Sequence, residues 1–123
     1  MSSVLVVEDN KALLESVSYK LAEEGFRVSK ATNGKKGLKL ALKERPDIIL
    51  LDLMMPKMGG IEMMEELRKD IWGKEAKIIV ITNLNPNDEI LKAMEKTEPA
   101  FYLIKANLEI REIIDKVKEE LNK

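Results

Sequence analysis

Apolar residues fall along this chain in two alternating rhythms. Val4-Leu5-Val6-Val7, Ile48-Ile49-Leu50-Leu51, Ile78-Ile79-Val80-Ile81 and Phe101-Tyr102-Leu103-Ile104 are unbroken runs. Runs of that length predict strands covered on both faces, as in a parallel sheet. Each gives way at once to a polar residue: Glu8-Asp9, Asp52, Thr82 and Lys105 in turn. A fifth segment, Phe26-Arg27-Val28-Ser29, alternates apolar and polar positions, which predicts a half-exposed strand at a sheet edge.

Between the strands the apolar spacing becomes helical. Leu13, Leu14, Val17 and Leu21 form one stripe, closed by Gly25, a residue suited to a left-handed cap. Leu38, Ala41 and Leu42 give a second helix its buried face, and Arg45-Pro46 ends it. Ile61, Met64, Leu67 and Ile71 stripe a third helix. Asn85 is placed to cap a fourth, with Pro86 at its first position, Asp88 in its first turn, and Ile90, Leu91 and Met94 on its inner side. Asn107 is placed to cap a fifth, striped by Ile110, Ile113, Ile114, Val117 and Leu121.

Five βα units predict an α/β fold: a flavodoxin-like (βα)5 three-layer sandwich with a parallel five-stranded sheet. The most apolar strands belong at the centre and the alternating one at an edge, which gives the order 2-1-3-4-5. Its switch point lies between strands one and three, where open α/β sheets bind ligands. Those are the strands that deliver Glu8-Asp9 and Asp52.

The 123 residues suit one domain, 1–123, with no output domain expected. Aromatics are only 4% against 45% apolar residues, so the core must be aliphatic and methionine-rich. With 21 basic and 22 acidic residues, the net charge of −1 gives no overall footprint for nucleic acid or a membrane surface. The absence of cysteine removes disulfide, zinc-thiolate and thiol chemistry, and the absence of histidine removes an imidazole base. No signal peptide or membrane-spanning run is visible, so a cytoplasmic location is expected.

The polar strand ends carry the chemistry. Like charges ~4 Å apart repel by ~4 kcal/mol at an effective dielectric of ~20. Glu8, Asp9 and Asp52 therefore need either a raised pKa or a cation, and carboxylates with backbone carbonyls suit Mg²⁺, with Mn²⁺ as an alternative. Asn10 can cap the first helix and leave Asp9 free for the metal. Lys105 can neutralise the acids as a salt bridge, or offer its compact charge to a phosphoryl oxygen. Thr82 can simply bond a turn, or donate to the same oxyanion. Asp52 is then a candidate nucleophile, forming an acyl phosphate.

These motifs, in order, resemble the receiver domains of two-component response regulators, of the single-domain, chemotaxis type. The resemblance rests on Glu8-Asp9, Asp52 within Leu50-Leu51-Asp52-Leu53-Met54-Met55-Pro56, Gly60, Thr82 and Lys105, and spans essentially the whole chain. It implies that Asp52 accepts a phosphoryl group from a kinase phosphohistidine. It implies Mg²⁺ bound by Asp9, Asp52 and the backbone carbonyl of Met54, with Glu8 acting through water. Lys105 and Thr82 would hold the phosphoryl oxygens. Tyr102 would swing inward with Thr82, although an edge-strand aromatic can equally pack on a helix. The partners implied are a sensor histidine kinase or phosphotransfer protein and a downstream effector, met at the fourth helix, fifth strand and fifth helix. A monomer is expected, with no direct nucleic-acid contact and no membrane insertion.

The chain departs from the family pattern in places. Asn83 follows Thr82 where a very small residue is usual, and should narrow access to the phosphoryl group. Met54 and Leu84 offer no polar side chain to orient an attacking water. Slow transfer and slow loss of phosphate are expected. Ala106 replaces a common proline, so a cis bond after Lys105 is less assured. Three rival readings ask for other residues. An aspartate-nucleophile phosphatase would need an acid at Met54. A flavin or nucleotide module would need a phosphate loop where Glu8-Asp9 stands. A phosphorylation-independent scaffold would not need the acids, Thr82 and Lys105 together. The expected protein is a switch, not a turnover enzyme.

Overall fold

The computed structural model describes residues 2–123. Strands β1 (Ser3–Val7), β2 (Arg27–Ala31), β3 (Ile48–Leu51), β4 (Ile78–Thr82) and β5 (Phe101–Ile104) alternate with helices α1 (Lys11–Glu23), α2 (Gly34–Glu44), α3 (Gly60–Leu67), α4 (Asp88–Thr97) and α5 (Ile110–Leu121). All neighbours pair in parallel, in the order β2-β1-β3-β4-β5 expected from the apolar runs.

Successive strand residues point to opposite faces, and this splits the core in two. Leu5, Val7, Ile49, Leu51, Ile78 and Val80 pack with α2, α3 and α4, through Ala41, Met63, Met64, Leu67 and Ile90. Val4, Val6, Ile48, Leu50, Ile79 and Ile81 pack with α1 and α5, through Leu14, Val17, Leu21, Ile113, Ile114 and Val117. Each fully buried aliphatic contributes about 1.5–3 kcal/mol relative to exposure, so the three central strands hold the sheet.

Asparagines start three of the helices. Asn10, Asn33 and Asn87 accept from the N–H groups of Leu13 (3.1 Å), Lys36 (2.9 Å) and Ile90 (2.8 Å). Gly25, at φ 96°, takes the left-handed position after α1, as its place in the sequence predicts.

Five local expectations are corrected. The cap of α4 is Asn87, not Asn85, and Asp88 rather than Pro86 opens the helix. Starting there puts both Asp88 and Glu89 in the positive first turn, and leaves residues 83–87 as a loop above β4. Glu109 rather than Asn107 caps α5, and Glu112 accepts its N–H at 3.1 Å. Asn107 is spent in a 3-10 turn, Lys105–Asn107.

Ile71 lies beyond α3 and is 88% exposed. Arg68 explains why the helix stops. Its guanidinium donates to the carbonyls of Thr97 (2.8 Å), Gly73 (2.8 Å), Ala76 (2.7 Å) and Glu98 (3.1 Å), which folds the chain back across the end of α4. Burial holds this guanidinium below its ordinary pKa, and the four carbonyls satisfy it. Leu42 is 40% exposed instead of buried. Gly37 faces Val7 so closely that a Cβ would lie 2.9 Å from both Val7 methyls. The helix therefore rests on Gly34, Gly37 and Ala41, and turns Leu42 outward. Finally, β5 is not covered on both faces. As an edge strand it keeps Phe101 exposed and Tyr102 to Ile104 half-buried.

Candidate functional site

The register brings the polar strand ends to one edge. Glu8 leaves β1 with its N–H on the Ala31 carbonyl (2.9 Å), and Asp52 leaves β3 with its N–H on the Val7 carbonyl (3.1 Å). Both side chains are buried, while Asp9 is exposed. One carboxylate oxygen from each of Glu8, Asp9 and Asp52 lies within 4.8 Å of the others.

Lys105, just past β5, reaches between two of them. Its Nζ lies 2.7 Å from Glu8 Oε1 and 3.0 Å from Asp52 Oδ2. The side chains are only 16%, 6% and 5% exposed, so water screens these pairs weakly. Glu8 Oε2 also accepts the Asn10 N–H at 3.0 Å, and Asp52 Oδ1 accepts the Met54 N–H at 3.3 Å. Asn10 thus serves twice, capping α1 with its side chain and orienting Glu8 with its backbone. That second task has no sequence signal.

Burial pushes the Glu8 carboxyl above its ordinary value. The Lys105 hydrogen bond and the Asn10 N–H offset part of this, and the charge of Asp52 adds to it. Burial also works against the Lys105 ammonium, but its bonds to Glu8 and Asp52 outweigh that and hold it above the usual lysine range. Three carboxyl groups gather around one ammonium, a formal excess of two negative charges. Asp9 has no hydrogen-bond partner among the described residues. An all-oxygen cluster with an excess of two charges and a free carboxylate fits a hard divalent cation such as Mg²⁺.

The remaining predicted residues surround this cluster. Thr82 is fully buried, and its Oγ1 accepts the Leu84 N–H at 3.4 Å. The Tyr102 hydroxyl donates to the Leu84 carbonyl at 2.7 Å. Burial, and then the charge of Asp52, push that phenol up. Tyr102 and Thr82 are therefore joined through one residue of the loop after β4, a link the sequence did not disclose. Met54 is 60% exposed and Asn83 is exposed, whereas Leu84 packs inward against the core. The described residues contain no cis peptide bond, so the bond after Lys105 is trans.

The response regulator receiver domain family matches residues 4–118. The chain belongs to that family. Among curated relatives it is 34% identical over 95 residues to the transcriptional regulatory protein AfsQ1 of Streptomyces coelicolor, a match covering 77% of this chain and 41% of that protein. Protein PilH of Pseudomonas aeruginosa is 33% identical over 82 residues, 67% of this chain and 68% of PilH. The match spans well under half of the transcriptional regulators AfsQ1 and RpaA, at 41% and 35% of their lengths. A CheY-like receiver domain from Methanospirillum hungatei JF-1 superposes with a TM-score of 0.89 at 27% identity, over 99% of this chain and 94% of that one.

Receiver domains are phosphoacceptor switches of two-component systems, and they are signalling elements rather than turnover enzymes. They bind Mg²⁺ at an acidic pocket, and this one gathers Glu8, Asp9 and Asp52. They meet histidine kinases and effectors. Family membership sets aside the phosphatase and flavin readings. No helix of the receiver's described residues is long and apolar enough to cross a membrane.

The Glu8 carboxyl gives this receiver a pH dependence without metal. Its folded pKa lies above the ordinary value of 4.5. The folded chain therefore keeps a proton that the unfolded chain has released. Below 4.5 the full contribution is present, and it is lost as pH rises through the folded value. Melting temperature in chelator should fall across that window. Glu8→Gln should flatten that fall, and an unchanged slope would assign it to another group.

Proposed function

We propose that Asp52 is the phosphoacceptor, charged by a histidine kinase phosphohistidine or by a small acyl phosphate. The observation that carries this is the buried Asp52–Lys105–Glu8 bridge, with Asp9 beside it and two negative charges in excess. Asp9, Asp52 and the Met54 carbonyl would hold Mg²⁺ directly, and Glu8 through water. When bound, Mg²⁺ supplies the positive charge that lets two anions, carboxylate and phosphoryl group, approach each other.

An Asp52 carboxylate oxygen attacks phosphorus, and the phosphorus–nitrogen bond of the donor breaks with its electron pair left on the imidazole. Lys105 then exchanges Asp52 for a phosphoryl oxygen, and the Thr82 hydroxyl donates to another. Its oxygen already accepts the Leu84 N–H, so turning the hydroxyl towards the phosphoryl group pulls on that long bond. Because Leu84 also holds the Tyr102 hydroxyl, a movement of Thr82 is conveyed to β5. Phosphorylation adds roughly 1.5–2 negative charges, enough to bias such a loop. The readout surface is α4, β5 and α5, where Lys116 lies 3.8 Å over the exposed Phe101 ring. The protein acts in the cytoplasm as a monomer, and an effector protein reads its state. Exposed Met54 and Asn83 at the mouth, with no polar group on Met54 or Leu84 to orient water, support a long-lived phosphoryl state.

The test is incubation with acetyl phosphate and Mg²⁺, read by intact mass. One phosphoryl adduct is expected on the native chain, decaying slowly, with none on Asp52→Asn and none in chelator. An adduct on Asp52→Asn, or none on the native chain, overturns the assignment.

A further inference from the structure

The net charge of −1 conceals an uneven distribution. Lys35, Lys36, Lys39 and Lys43 lie on α2, with no acid on that helix before Glu44, and Glu44 is engaged by the Ser29 hydroxyl. None of the four makes an ion pair among the described residues. The other helices do otherwise. Lys20–Glu23, Lys69–Glu66, Lys116–Glu119 and Lys123–Glu120 are i,i+3 pairs in or beside α1, α3 and α5, and Lys96 of α4 pairs with Glu65 of α3. On α2, Lys35, Lys39 and Lys43 instead repeat at i,i+4, where like charges repel. The helix also carries Gly34 and Gly37, poor helix formers. A merely solvated face would not need this unfavourable pattern.

The same lysines line a groove of about 500 Å³, together with Leu40 and Lys57. Lys57 comes from the β3–α3 loop, in a left-handed backbone conformation (φ 68°) that is strained for a lysine. That loop is bonded to α2, since the Gly34 N–H donates to the Met58 carbonyl at 2.9 Å. A Cβ on Gly34 would lie 2.2 Å from that oxygen, so no other residue allows the contact. The walls are thus lysine stems and Leu40, and the rim is ammonium groups. From Lys35 to Lys43 the stripe runs roughly 12 Å, at 1.5 Å per helical residue. That is the span of about four residues of extended peptide.

We propose that this groove docks an acidic polypeptide segment carrying an apolar anchor residue. Carboxylates meet the ammonium rim, and the anchor covers Leu40 and the lysine stems. A phosphate backbone would gain nothing from the apolar floor, and among the described residues no arginine or aromatic side chain lines the groove. A lipid surface needs an apolar helix face to insert, and that face of α2 is packed on β1. The partner would touch the loop that also carries Asp52, but docking itself does not depend on phosphorylation.

The probe is a synthetic peptide of alternating Glu and Leu, titrated into the isotope-labelled chain and followed by amide chemical shifts. Changes should gather at residues 33–43 and 54–58 and weaken with added salt. Replacing Lys36, Lys39 and Lys43 together by Gln should weaken binding about tenfold or more, as loss of a cluster of charge pairs requires. Gln also relieves the like-charge repulsion, so this variant should keep its fold, as read by circular dichroism. A Glu/Gly peptide of equal charge should bind more weakly. Three results would overturn the proposal: shifts absent or scattered elsewhere, equal affinity in the triple variant, or binding of a DNA duplex or anionic phospholipid vesicles as tight as that of the Glu/Leu peptide.

Discussion

Lys105→Met should destabilise the metal-free protein by about 3–5 kcal/mol, the range for removing one partner of a buried ion pair. Among the described residues, Lys105 is the only cation bonded to both Glu8 and Asp52, at 2.7 and 3.0 Å. Without it, two buried carboxylates face each other with Asp9 alongside. The loss should shrink when Mg²⁺ is added, because a divalent ion supplies the missing charge, and when pH is lowered, because Glu8 takes up its proton. Urea unfolding in chelator and in Mg²⁺ reads both effects. A double variant, Lys105→Met with Glu8→Gln, should recover much of the stability, since it removes one of the stranded charges. Phosphorylation by acetyl phosphate in saturating Mg²⁺ should remain about a hundredfold slower, because a donor to the developing charge is lost. Equal loss of stability with and without Mg²⁺ would mean that Lys105 matters as packing, not as charge.

Gly60→Ala should have the second large effect, and it acts through the backbone. A Cβ at Gly60 would lie 2.3 Å from the Asp52 carbonyl oxygen and 2.9 Å from Leu53 Cα. Neither obstacle is a flexible side chain, so either α3 or the Asp52 segment must move. Overpacking of this kind costs about 1–3 kcal/mol. Movement at Asp52 also disturbs the 3.3 Å bond from the Met54 N–H and the Lys105 bridge, so phosphorylation should slow as well. Gly59 is the control. A Cβ there meets only the Leu53 carbonyl, at 3.1 Å, a contact that a few tenths of an ångström relieve. Gly59→Ala should therefore melt close to the native chain and accept phosphate at a similar rate. Equal effects at the two positions would refute the steric account.

The two substitutions probe what the fold does for the site. Sheet order brings β1 and β3 together, and the register sets Val7 beside Leu51, so the next residues on each strand emerge side by side. Gly60 lets α3 start directly against the strand end that carries Asp52. Lys105 arrives from β5, two strands away from β3, and only its long side chain closes the distance. Stability at this edge is thus traded for a charge cluster that a metal ion and a phosphoryl group can rearrange.

The apolar runs and helical stripes were enough to place the five strands, their order and the polar strand ends, because burial on both faces imposes a pattern that each segment carries locally. The acidic cluster was legible for the same reason: parallel topology sends successive strand ends to one edge. Helix boundaries depended on competition that no single segment records. Asn85 and Asn87 are equally good caps, and the first turn with two acids prevailed. Ile71 fits a stripe, yet Arg68 reaches four carbonyls and turns the chain before that residue can pack. Leu42 fits a stripe too, but the close approach of Gly37 to Val7 rotates α2 away from it. The Lys105 bridge, the Tyr102–Leu84–Thr82 link and the crowded lysines of α2 were likewise invisible in the linear order. Each depends on distances between segments far apart in the chain, and those distances exist only once the layers have packed.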